Sequence, residues 1–139
     1  MDSYVYNFDK TVSQLCVNCH EKNNILHWFC ECRLLNKFLQ LFEHWLKNNL
    51  DVQLTLDSKI MLFGVLDKSQ FEVNFCILHA KWYIHKTRRS GNNNSPVYFS
   101  FLSFLTMLKN VLRVEKEIAT IKMNEPKYHE KFKLLEEIL

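Results

Sequence analysis

Cys16 and Cys19 are separated by two residues, His27 follows after seven more, and Cys32 follows His27 after four, which completes C-x2-C-x7-H-x4-C in one short run. Two thiolates at that separation can grip one metal ion from a tight backbone turn. A downstream imidazole and thiolate then complete a tetrahedron of nitrogen and sulfur donors suited to zinc. Four protein ligands leave no open position for a substrate, so the expected metal is a single structural Zn2+. Cys30 competes for the fourth place, and His20 directly follows Cys19. On a regular helix, residues five apart point about 140° from one another and residues three apart about 60°. That geometry favours Cys30 as the partner of His27, whereas a ligand at an irregular first turn escapes it. Cys32 and Cys30 both stand as candidates at this point.

Other cysteine chemistries fit less well. A redox CxxC follows a strand and opens a helix in a βαβ setting, a pattern this chain lacks. A disulfide framework is disfavoured by an odd count of five cysteines and by a 47% hydrophobic content that can supply a core without staples. The opening MDSYVYNFDK is mixed and polar and is no secretory signal, so the expected location is intracellular, nuclear or cytoplasmic, with reduced thiols. Cys76, within Asn74-Phe75-Cys76-Ile77-Leu78, reads as a small buried hydrophobe.

The cysteine run must be carried by helices. Few glycines and prolines, and apolar residues recurring at three and four, predict a mostly α-helical fold: an N-terminal zinc-knuckle arm over 1–32, packed as one domain with a bundle of about four helices over 33–139. Leu34, Phe38, Leu41 and Trp45, broadened by Leu35, Leu39, Phe42 and Leu46, predict a helix from about Glu31 to Asn49. Asp57 or Ser58 can cap a short helix that Gly64 closes. Ser69 to Glu72 reads as a capping box before a helix with two apolar sides, one of Phe71, Phe75, Leu78 and Trp82, the other of Val73, Ile77, Ala80 and Ile84. Ser95-Pro96 reads as the start of a long helix through Phe101, Leu105, Leu108, Leu112, Ile118 and Ile121, and Pro126 as the opening of a last one over Lys127 to Ile138. Tyr4 to Tyr6 and Thr11 to Leu15 read as extended arms of the knuckle. The uncharged stretch from Ser90 to Leu108 begins with Ser-Gly-Asn-Asn-Asn-Ser and is too short in its apolar part to span a bilayer, so no membrane partner is expected.

A net charge of +3 is too mild to mark the whole molecule as a nucleic-acid binder, so such binding needs a local patch. Lys81, Lys86, Arg88 and Arg89 provide one, with no acid among them and with Trp82, Tyr83 and His85 interleaved. These cations can neutralise phosphates while the rings stack on bases. The competing reading is that basic residues complement any helix C-terminus and that Trp82 lies on the core stripe. No P-loop, GxSxG or HExxH run occurs, and His44, His79, His85 and His129 fall within predicted helices as structural or surface residues. No enzyme activity and no small-molecule substrate are therefore expected.

Leu15-Cys16-Val17-Asn18-Cys19 followed by His27-Trp28-Phe29-Cys30-Glu31-Cys32 resembles the cysteine-rich C-terminal segment of reverse transcriptases from LINE-type, non-LTR retrotransposons. Phe63-Gly64-Val65 is similar to that family's Phe-Gly-Ile element, and Ile77 to Lys86 to its Leu-Leu-x-Ala-Lys-Tyr-Tyr-Ile-x-Lys helix. Phe104 to Ile121 resembles its closing helix, so the likeness runs from about Tyr4 to Lys122. The resemblance favours Cys16, Cys19, His27 and Cys32 as the ligand set. It implies that the region binds RNA or single-stranded nucleic acid. Cys30 stands where the family usually has tryptophan, and Asn23-Asn24 where it commonly has Glu-Thr. The endonuclease and polymerase regions of the family have no counterpart here, so the expectation is a detached, non-catalytic terminal domain. The alternative is a structural or protein-interaction domain left as a fragment of such an element.

Overall fold

The computed structural model describes residues 24, 25, 27–67, 70–90 and 98–139. Among these residues six α-helices and no strand are found: α1 (Asn36–Leu50), α2 (Ser58–Phe63), α3 (Phe71–Ser90), α4 (Phe101–Ile121), α5 (Glu125–Lys131) and α6 (Lys133–Ile138). Ahead of them come a π-helical turn over His27–Glu31 and a 3-10 turn over Arg33–Leu35. The mostly helical fold class expected from periodicity is thus observed for the bundle. Cys16, Cys19, His20, the Tyr4 to Leu15 arms, Ser69 and Ser95-Pro96 lie outside the described residues. No described helix is long and apolar enough to cross a membrane.

The core is aromatic where three helices meet. Phe38 of α1 stacks on Tyr83 of α3 at 5.5 Å and meets Phe104 of α4 edge-on at 5.6 Å, while Phe42 reaches Phe104 at 5.3 Å. Edge-to-face rings at these separations satisfy the aromatic quadrupole as well as burying area. A second cluster joins α3 to the C-terminal pair: Phe132 lies 4.9 Å from Phe75, 5.2 Å from Tyr128 and 5.5 Å from Phe71.

Polar ties fix the joints between elements. Asp57 caps α2 by accepting from Ile60 N–H at 3.0 Å, as its side chain predicts. Gly64 closes the same helix at φ 75°, ψ −170°, a region that side chains rarely enter. Beyond it, Asn74 of α3 grips Val65 at both ends: its Oδ1 accepts from Val65 N–H at 2.7 Å and its amide donates to Val65 C=O at 2.8 Å. Glu43 accepts from Leu56 N–H at 2.8 Å, and Glu72 accepts from Leu135 N–H at 2.7 Å, taking one of the open donors at the start of α6.

Several expected faces are rotated or shifted. In α1 the buried side is Phe38, Leu39, Phe42, Leu46 and Leu50, while Leu41 is exposed and Trp45 half-buried. The helix begins at Asn36 rather than Glu31, because the π and 3-10 turns occupy the preceding residues. Residues 98–100 are non-helical, and Ser100, not Ser95, caps α4 by accepting from Ser103 N–H at 3.2 Å. The single helix expected over Lys127 to Ile138 is broken at Phe132 (φ −114°, ψ 24°), whose ring is buried between α3 and Tyr128.

Candidate metal turn and basic helix end

Asn24 starts the π turn by capping it twice: its side-chain oxygen accepts from His27 N–H at 2.8 Å and its carbonyl from Trp28 N–H at 2.8 Å. The turn closes where Cys32 N–H donates to His27 C=O at 3.1 Å, a bond spanning five residues. Such turns are rare and frequent at functional sites. His27 is 2% exposed and Cys32 fully buried, whereas Cys30 is partly exposed. The angular case for Cys30 rested on α-helical geometry, which this segment does not adopt; a turn closed by an i→i+5 bond brings residues five apart round to the same side. A buried imidazole and a buried thiol are donors of the kind zinc selects. Cys16 and Cys19, the other two expected ligands, are outside the described residues, and among those described no three His, Cys, Asp or Glu side chains form a metal-binding group.

The turn packs against α1, α2 and α3. A side-chain tie joins it to the C-terminal end of α3. Arg88 donates from Nε to the Trp28 carbonyl at 2.9 Å, and its guanidinium lies 5.1 Å from the centroids of both the Trp28 and Phe99 rings. One cation thus joins the end of α3 to the π turn, sixty residues earlier, and to the segment that precedes α4. Arg88, one of the cations expected to meet phosphates, has its guanidinium half-buried between the two rings. Lys81 is likewise engaged, donating to Leu62 C=O at 3.3 Å at the end of α2. Lys86 and Arg89 are the exposed members of the basic set.

Trp82 reverses the other expectation. The core side of α3 is Val73, Ile77, Ala80 and Ile84, with Cys76 and Tyr83, while Leu78 and Trp82 are 58% and 56% exposed. Trp82 leans on His85 (5.9 Å, 31° between planes), and His85 in turn faces Trp28 (6.3 Å, 43°). Burial and the neighbouring Arg89 push the His85 pKa below its ordinary value, so the ring is neutral near pH 7. Three rings therefore run from the exposed side of α3 to the π turn.

The other titratable groups have structural surroundings. Burial pushes the Cys76 thiol far up, which leaves it inert, and lowers the pKa of His79, whose ring lies 4.5 Å from Phe75. His44 pairs with Asn48 at 2.7 Å and His129 with Glu136 at 2.8 Å, both at the surface. The tie between Trp28 and Arg88 was invisible to spacing rules, since no local pattern links residues sixty apart. The exposure of Trp82 had a weak signal in the small Ala80, which fits a close helix contact on the opposite stripe.

No family model, curated protein or solved structure matches this chain.

Proposed function

We propose that the chain is a non-catalytic, zinc-containing module that binds RNA or another single-stranded nucleic acid, as its resemblance to the terminal region of LINE-type reverse transcriptases implies. Cys16, Cys19, His27 and Cys32 hold one structural zinc, and Lys86 and Arg89 meet phosphates. Arg88 fastens the metal turn to the basic helix end, and Lys81 secures α2 beneath it. The observation that carries this reading is the end of α3: from Val73 to Ser90 the helix has no acidic residue, and Trp82, Lys86 and Arg89 are exposed three or four residues apart on one side. A second reading, a protein-interaction surface, draws on Leu78 and Phe71, which continue that side in apolar form at 58% and 42% exposure.

One experiment separates them. The full chain is loaded with cobalt and titrated with single-stranded RNA at several salt concentrations. One metal per chain is expected, lost in Cys16→Ser and Cys32→Ser and kept in Cys30→Ser. RNA affinity is expected to fall steeply with salt, and Lys86→Ala or Arg89→Ala to reduce the slope by roughly 0.7 each. Cobalt retained in all three cysteine variants removes the metal site. Binding that is absent or indifferent to salt removes the nucleic-acid reading and leaves the protein-interaction one.

A further inference from the structure

We infer that the exposed ring of Trp82, backed by His85 and Trp28, is a stacking platform for an unpaired base, so that this face takes a single strand in preference to a duplex. The inference rests on the nucleic-acid reading above and names the part of the ligand that Trp82 contacts.

Three observations converge on it. First, Trp82 is 56% exposed in a helix whose other side already fills the core, so its ring adds little to the bundle. Second, the ring has neighbours on one side. His85 lies against it at 5.9 Å, Trp28 lies beyond His85 at 6.3 Å, and Arg88 holds Trp28 by a hydrogen bond and from 5.1 Å above its ring. A ring braced from one side loses little freedom when a base settles on the other, which is what makes a preformed platform effective. Third, the cations stand where a backbone would pass. Lys86 is one turn from Trp82, and Arg89 one turn from His85, both exposed on the same side. Burial and the nearby Arg89 lower the His85 pKa, which favours the neutral ring and so stacking over pairing with phosphate.

The chemistry favours an unpaired strand. In a duplex the faces of the bases are already covered by their neighbours, so only the cations can act. In a single strand a base can leave its stack and lie on an aromatic face, whatever its identity. Leu78, one turn before Trp82, extends the platform with an apolar surface.

The test compares Trp82→Ala, Trp82→Leu and Trp82→Phe with the parent and with Lys86→Ala/Arg89→Ala, on oligouridylate and on a duplex RNA of equal length. Leu keeps the apolar bulk without the π face, so it remains informative if the alanine variant folds poorly. Trp82→Leu should weaken single-strand binding about ten-fold, within the range measured for losing one stacked base, with an unchanged salt slope. Trp82→Phe should retain most of the affinity, and duplex binding should barely change. Parent binding should also quench tryptophan fluorescence, and Trp82→Phe should lose that quenching. The cationic double variant should weaken both ligands through the salt slope. If Trp82→Leu binds the single strand like the parent while the cationic variant weakens it, the platform is wrong and the nucleic-acid reading stands. If Trp82→Leu weakens duplex and single strand alike, the preference for unpaired bases is overturned. A parent that binds neither RNA, or that self-associates through Trp82 with Trp82→Leu monomeric, overturns both.

Discussion

Removing the Arg88 guanidinium should cost more stability than removing any other charge of the basic cluster. The side chain does three things at once: Nε donates to the Trp28 carbonyl at 2.9 Å, and the guanidinium lies 5.1 Å from the Trp28 and Phe99 ring centroids. A hydrogen bond from a charged donor contributes about 1.5 to 3 kcal/mol, and each half-buried cation–π contact about 1 kcal/mol. Contacts that share one side chain are not additive, so Arg88→Ala is expected to destabilise by about 3 kcal/mol. Arg88→Lys keeps the charge but not the planar fork that stacks and donates together, and should recover no more than about a third of that loss. Lys86→Ala and Arg89→Ala, at exposed positions, should stay within about 0.5 kcal/mol of the parent. Urea unfolding with matched metal content supplies the numbers, and hydrogen exchange locates the loss, which should concentrate in residues 27–32 and 98–100. An Arg88→Ala protein within about 0.5 kcal/mol of the parent would refute the reasoning, because the contacts on which it rests would then hold nothing together. Equal destabilisation by Arg89→Ala would refute it too, since bulk charge rather than the clamp would be responsible.

Two further predictions follow from local geometry and titration. Gly64→Ala places a Cβ 2.6 Å from Asn74 Oδ1 in a backbone region nearly closed to alanine, so it should destabilise by about 2 to 3 kcal/mol; a thermal midpoint within a degree or two of the parent would count against the fold at this joint. Burial is the largest influence on Glu72 and raises its pKa above 4.5, only partly opposed by the backbone donors of Leu135 and Leu134. The folded state therefore holds this proton more tightly than the unfolded one, and the contribution of Glu72 to stability falls as pH rises from about 4.5 through the raised value. Glu72→Gln, which keeps an acceptor for Leu135 without the buried charge, should gain on the parent between pH 4 and pH 7; a difference in urea midpoint that is constant over that range would remove the argument.

How much of this was legible in the sequence depends on how far apart the interacting residues are. The short helix α2 was readable at both ends, because Asp57 and Gly64 act within four residues of what they cap. The aromatic core was readable as composition, but not as the side of each helix that turns inward. Trp82 and Ala80 sit on two equally apolar stripes of α3, and only the packing of Tyr83 against Phe38 and Phe104 decides between them. The start of α4 was misplaced because Ser95-Pro96 carries the stronger local cap signal, whereas Ser100 is held from a distance: its N–H donates to the Tyr83 hydroxyl at 2.9 Å while its own hydroxyl caps the helix.

The turn over His27–Glu31 shows the same limit from the other side. Spacing alone placed His27 and Cys32 far apart in angle because it assumed a regular α-helix, whereas the bond from Cys32 N–H to His27 C=O closes a wider turn. A wide turn costs helical regularity and persists where surrounding contacts over-determine it. Those contacts are here: Asn24 fixes its beginning, Arg88 holds the carbonyl of Trp28 in its middle, and the buried Cys32 anchors its end. The residues that hold the turn open are thus also the residues that tie it to the exposed rings and cations of α3. On the proposed reading, a metal that orders the turn should therefore stiffen the helix end that Trp82 and Lys86 occupy, and a strand bound there should in return tighten the turn around the metal.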